Sequence, residues 1–121
     1  MASTVATSPL FKTAIYGRDA NWGRVLAAIG RSYPSPAINP GTVSLSFYAG
    51  DLDAVPKSEE TTLRLVKNGQ PCHLDESMAS KILNFEDVTV EISLGQGDVS
   101  ATYWTCDFSH EYVSINAEYR T

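Results

Sequence analysis

Apolar and polar positions alternate with a period of two over Thr42 to Tyr48, where Val43, Leu45 and Phe47 fall on one side. That is the pattern of a half-buried strand. Val88, Val90, Ile92 and Leu94 repeat it. Gly95-Gln-Gly97 then turns the chain and Val99 to Cys106 returns, so an antiparallel hairpin is predicted there. Leu63 to Lys67 and Gln70 to Leu74 flank Asn68-Gly69, whose tolerance of positive φ suits a two-residue turn. Leu10 to Tyr16, rich in β-branched and aromatic residues and closed by Gly17, reads as a further strand.

The period changes after Gly17. Trp22, Val25, Leu26 and Ile29 recur at i, i+3, i+4 and i+7, which predicts a helix over Asn21 to Ile29 with Trp22 and Ile29 buried. Asp19 or Asn21 caps it and Gly30 ends it. Asp75 caps a second helix with Met78, Ile82 and either Ala79 or Leu83 facing inward. Ser109 caps a short last one that places Tyr112 and Val113 against the body. Tyr33 to Gly41 holds three prolines and reads as an ordered loop, and Gly50 to Thr62 as a charged surface loop. Strands and helices mix without βαβ alternation and without internal repeats, so the fold class is α+β with a mixed or mostly antiparallel sheet.

Composition narrows the function. With 121 residues and 43% hydrophobic content, one core is affordable and two are not. A formal charge of -5 argues against a phosphate backbone as partner, so no nucleic acid is expected. Val25 to Ile29, an uninterrupted apolar run, is far below the roughly 20 residues that span a bilayer, so no membrane partner is expected. Two cysteines and no secretory apolar segment favour a reducing compartment. Residues 1–9 are small and polar and lack the arginines of a transit peptide; they are expected to be flexible, or added for expression.

Several residues invite chemical readings. Cys72, His73, Cys106 and His110 could be drawn as a zinc site, but the spacing is not that of a ribbon or finger, and adjacent strand residues point to opposite faces. Cys106, Asp107 and His110 could be drawn as a nucleophile and base, although a cysteine in an apolar strand usually packs. Asn21-Trp-Gly-Arg24 has hot-spot residue types, yet reads more simply as Trp22 filling the core, Gly23 allowing close backbone approach and Arg24 meeting a carboxylate. Gly95-Gln-Gly97 has no Lys-Ser/Thr after it and is a turn, not a phosphate loop. Neither a metal nor another cofactor is expected. Asn116 and Thr121 are well suited to an amino-acid substrate, since an amide both donates and accepts and a hydroxyl can do either; capping or solvent contact would explain them as well.

Two long ungapped stretches decide among these readings. Leu10-Phe-Lys-Thr-Ala-Ile-Tyr-Gly-Arg-Asp-Ala-Asn-Trp-Gly-Arg-Val-Leu-Ala-Ala-Ile-Gly30 and Ala101-Thr-Tyr-Trp-Thr-Cys-Asp-Phe-Ser-His-Glu-Tyr-Val-Ser-Ile-Asn-Ala-Glu-Tyr-Arg-Thr121 together make about a third of the chain. They resemble the C-terminal part of the β chain of the ornithine acetyltransferases, bifunctional glutamate N-acetyltransferases of arginine biosynthesis. The Ser-His-Glu-Tyr-Val wording is similar to fungal members, which implies the mitochondrial matrix; a non-fungal origin would imply the cytoplasm. The resemblance implies a compact single-domain roll with two to three short helices over residues 10–121. It also implies that Asn116 and Thr121, in the pattern Ile-Asn-Ala-x-Tyr-Arg-Thr, bind substrate, with N-acetylornithine and glutamate as partners.

The family's nucleophile is a threonine freed at its amino end by autocatalytic cleavage. It takes acetyl from N-acetylornithine and passes it to glutamate. That threonine, its oxyanion-hole residues and a substrate-binding glutamate lie upstream of the matched region, and Thr4 and Thr7 lack the cleavage context. No catalytic residue is therefore expected in this chain. Alone it should be inactive, needing the α chain and the N-terminal part of the β chain as partners. The rival reading is a non-catalytic binding or assembly module, or a truncated paralogue.

Overall fold

In β1 (Ser44–Ala49) the period-two pattern becomes a central strand, with Leu45 and Phe47 fully buried and the serines and Tyr48 on the other face half-buried. The computed structural model describes residues 1–32, 37–51 and 58–118. Within it the chain divides into two compact units, Tyr33–Ser100 and Met1–Ser32 with Ala101–Thr121.

The first of these units holds the sheet, ordered β3-β2-β1-β4 and antiparallel throughout. β2 (Thr62–Lys67) pairs with β1 through Phe47 and Leu63, with an irregularity between Leu45 and Ser46. β4 (Val88–Ser93) pairs along the opposite edge of β1, Phe47 facing Val90. β3 (Gln70–Pro71) follows the predicted turn, in which Asn68 and Gly69 take φ of 47° and 76°. A Cβ on Gly69 would lie 2.5 Å from the Pro40 carbonyl oxygen, so both its φ and its surroundings demand glycine. α4 (Glu76–Leu83) begins at Asp75, whose carboxylate accepts from the Met78 amide at 3.0 Å. It buries Ala79, Ile82 and Leu83 and packs on β1 and β2, while Met78 is only half-buried. Full burial of side chains such as Phe47, Leu45, Leu65 and Ile82 is worth about 1.5–3 kcal/mol each, which makes this layer the strongest part of the unit.

The other unit is helical. α1 (Ala2–Ala6), α2 (Pro9–Tyr16) and α3 (Trp22–Arg31) pack on one another and bury Val5, Ala6, Phe11, Ala14, Val25, Ala28 and Ile29. A last helix, α5 (His110–Ala117), follows residues 101–109, which form no helix or strand. The α+β class and the antiparallel sheet stand, with five α-helices among the described residues in place of two to three.

Several expectations are corrected. Leu10 to Tyr16 is helical, because Ser8 and Pro9 start a helix there: the buried Ser8 hydroxyl accepts from the Phe11 amide at 3.3 Å, and proline occupies the first turn. Within residues 1–9, expected to be flexible or added for expression, Ala2–Ala6 form α1, which buries Val5 and Ala6 among its helical neighbours. Val99 to Cys106 is no strand, and β4 takes β1 as its partner instead. Positive φ at Gly95 and Gly97 still bends the chain, and the Gln96 side chain ties that bend down, accepting from the Asn39 amide at 2.9 Å and donating to the Ala37 carbonyl at 3.3 Å. α3 runs through Gly30 to Arg31, and its first residue, Trp22, is half-buried where full burial was expected. The expected loops include residues 33–36 and 52–57, which lie outside the described residues.

Candidate functional site

The segment carrying Asn116 gains its order from few contacts. Among residues 101–118 only Phe108 and Ser109 are more than superficially covered, and both are half-buried. The Thr105 hydroxyl donates to the Ala6 carbonyl at 2.9 Å, and the Phe108 amide donates to the Lys12 carbonyl at 3.2 Å. The same lysine places Nζ 4.7 Å from the centre of the Phe108 ring, a cation–π contact. Phe108 meets Tyr112 edge to face at 4.5 Å and 76°, and His110 meets Tyr16 at 5.8 Å and 79°.

Ser109 starts α5 as predicted, its hydroxyl accepting from the Tyr112 amide at 2.9 Å. Asn116 sits in the last turn, exposed, and its Nδ2 donates to the Tyr112 carbonyl at 2.8 Å. That bond uses one amide hydrogen and leaves Oδ1 and a second hydrogen for other partners. Thr121 lies outside the described residues. Tyr112 and Val113 do not pack against the body as expected but are 43% and 55% exposed, because α5 buries none of its residues.

The other candidates are less organised. Cys72 is a half-buried free thiol and Cys106 an exposed one. No group of three or more His, Cys, Asp or Glu among the described residues is arranged to hold a metal. Asn21 caps α3 through Oδ1, which accepts from the Arg24 amide at 3.1 Å. Arg24 itself donates to the Leu10 carbonyl at 2.7 Å, a backbone acceptor where a carboxylate was expected. A shallow cleft on the sheet unit is lined by Tyr48, Ser58, Glu59, Thr62 and Arg64; its Arg64–Glu59 ion pair, at 2.9 Å, is well exposed and weakly stabilising. No described helix is long and apolar enough to cross a membrane. Sequence reasoning missed the Lys12–Phe108 contact, for which the linear pattern offers no signal across so wide a separation.

Residues 1–121 match the family model described as the ArgJ family. The mitochondrial arginine biosynthesis bifunctional protein ArgJ of Chaetomium globosum is 48% identical over 130 aligned residues, covering all of this chain and 26% of that protein. Its counterpart in Cryptococcus neoformans var. neoformans is 51% identical over 122 residues, covering all of this chain and 25% of that protein. The crystal structure of the arginine biosynthesis bifunctional protein argJ from Bacillus halodurans superposes with a TM-score of 0.78 at 32% identity, over 98% of this chain and 49% of that one. The chain thus spans about a quarter of the length of these curated relatives. With the family model covering every residue and relatives at about half identity across its full length, this chain belongs to the ArgJ family.

Proposed function

We propose that this chain is the C-terminal part of an ornithine acetyltransferase acting in the mitochondrial matrix, where it lends Asn116 and Thr121 to the binding of N-acetylornithine and glutamate. The full-length match to the ArgJ family carries this reading, and the names of its fungal relatives support the compartment. An exposed asparagine on a capped helix, with one N–H and its carbonyl oxygen open, is suited to reading the amino and carboxylate groups of an amino acid.

The chemistry belongs to segments outside this chain. A threonine hydroxyl attacks the acetyl carbonyl of N-acetylornithine, ornithine leaves as the amine, and the glutamate amine then takes the acetyl group from the threonine ester. This chain's share is binding and orientation, and alone it turns nothing over. Mixing it with the upstream α and β segments and assaying acetyl transfer from N-acetylornithine to glutamate tests the proposal: activity only in the mixture supports it, and activity of the isolated chain overturns it. In the reassembled enzyme Asn116→Ala should lower kcat/KM roughly 5- to 150-fold, since a buried substrate group loses its partner at a cost of about 1–3 kcal/mol. Removing Thr121 should impair turnover while the domain's circular dichroism stays unchanged.

The exposed Tyr103, Trp104 and Ile115 favour a second reading, an assembly surface with no role in substrate binding. Under it, Asn116→Ala would leave acetyl transfer intact and Trp104→Ser would weaken association with the upstream segments.

A further inference from the structure

α5 has 8 residues, below the roughly 12–15 that even a good isolated helix needs in water, and it buries no side chain. Its order must be imported. Ser109 supplies a cap, but a cap fixes only where the helix starts and not where it points. Direction comes from contacts with α2: His110 meets the Tyr16 ring at 5.8 Å, and Phe108 is held by Lys12 twice, through the backbone hydrogen bond at 3.2 Å and through the ammonium over its ring at 4.7 Å. The Phe108 ring in turn carries Tyr112, and the Tyr112 carbonyl carries the Asn116 amide. Through Phe108 the contacts run from α2 to Asn116.

We propose that Lys12 and Phe108 are positioning residues for substrate binding, a clamp that fixes where α5 presents the Asn116 amide. This rests on the reading that Asn116 binds substrate. It adds that affinity depends on a charge and a ring that never touch the substrate. Lysine suits the role because its ammonium meets the negative face of a half-buried ring.

The test uses Lys12→Met, which keeps the stem and the backbone bond and removes the charge, and Lys12→Arg, which restores a cation. In the reassembled enzyme Lys12→Met should raise KM for the amino-acid substrates roughly 2- to 5-fold, the range of an incompletely buried cation–π contact, with kcat nearly unchanged. Lys12→Arg should return KM toward the parent value. A purely structural defect would instead lower the active fraction, and with it kcat, and leave KM alone. In an Asn116→Ala background, Lys12→Met should add nothing further, because both changes remove the same interaction. Unchanged KM in Lys12→Met, or additive effects in the double variant, overturns the clamp while the substrate-binding reading survives. If Asn116→Ala alone leaves kcat/KM unchanged, that reading falls and the clamp falls with it.

Discussion

β1 and residues 101–106 look alike in one dimension. Both are built from aromatic, small and hydroxyl residues. Yet Phe47 in β1 is fully buried with a strand on either side, while Trp104 is 73% exposed and belongs to no strand. Strand propensity is largely a measure of packing against neighbours, so the same letters give a core strand where two partners exist and a bare segment where none does. In β1 Leu45, Phe47 and Ala49 share one face over α4, whereas in the other segment Tyr103 and Trp104 are consecutive and define no single apolar face. The contrast separates two ways of holding chain in place: dense burial, and a few directional tethers.

The sharpest way to break the comparison is to hollow out β1. Phe47→Ala should cost about 3–5 kcal/mol and shift the urea midpoint of the sheet unit accordingly, as removal of a fully buried ring does. A loss under about 1 kcal/mol would mean that β1 is not the keystone. Gly69→Ala follows, at about 1–3 kcal/mol, because a methyl group there meets the Pro40 carbonyl and the residue holds positive φ. The same urea curve reads it, and a neutral result would show that the turn can relax. Ser109→Ala should cost about 1 kcal/mol locally, melting α5 while the β1 amides keep their exchange protection. Loss of protection in both regions together would erase the distinction between them. Glu59→Gln stands at the bottom: the exposed pair with Arg64 should contribute under about 1 kcal/mol and less with added salt.

What was legible in the linear pattern follows the same division. The strand at Val43, Leu45 and Phe47, the Asn68-Gly69 turn and the caps at Asp75 and Ser109 each rest on a local rule, and each is found. Ser8-Pro9 carries the start signal of α2, and the structure uses that cap although the β-branched and aromatic content of Leu10 to Tyr16 favours a strand. α1 leaves little trace in the pattern, because its buried residues, Val5 and Ala6, are small and few. At Val99 to Cys106 the aromatic and β-branched content says that a strand could pair and is silent on whether a neighbour is available, and the consecutive Tyr103 and Trp104 weaken the case for a single apolar face. At the candidate site, Asn116 was placed on a capped helix by Ser109, but the grip of Lys12 on Phe108 is a tertiary fact with no local trace.

The order β3-β2-β1-β4 also bears on how the sheet is assembled in time. The β2–β3 pair closes over two residues and is a microsecond event, but joining β4 to β1 requires a loop of roughly 40 residues to close first. Each doubling of that loop adds only about 0.6 kcal/mol, so the final stability hardly registers its length. The rate does register it: for as long as β4 has not paired, one edge of β1 is open, and an open edge is where a chain can pair wrongly.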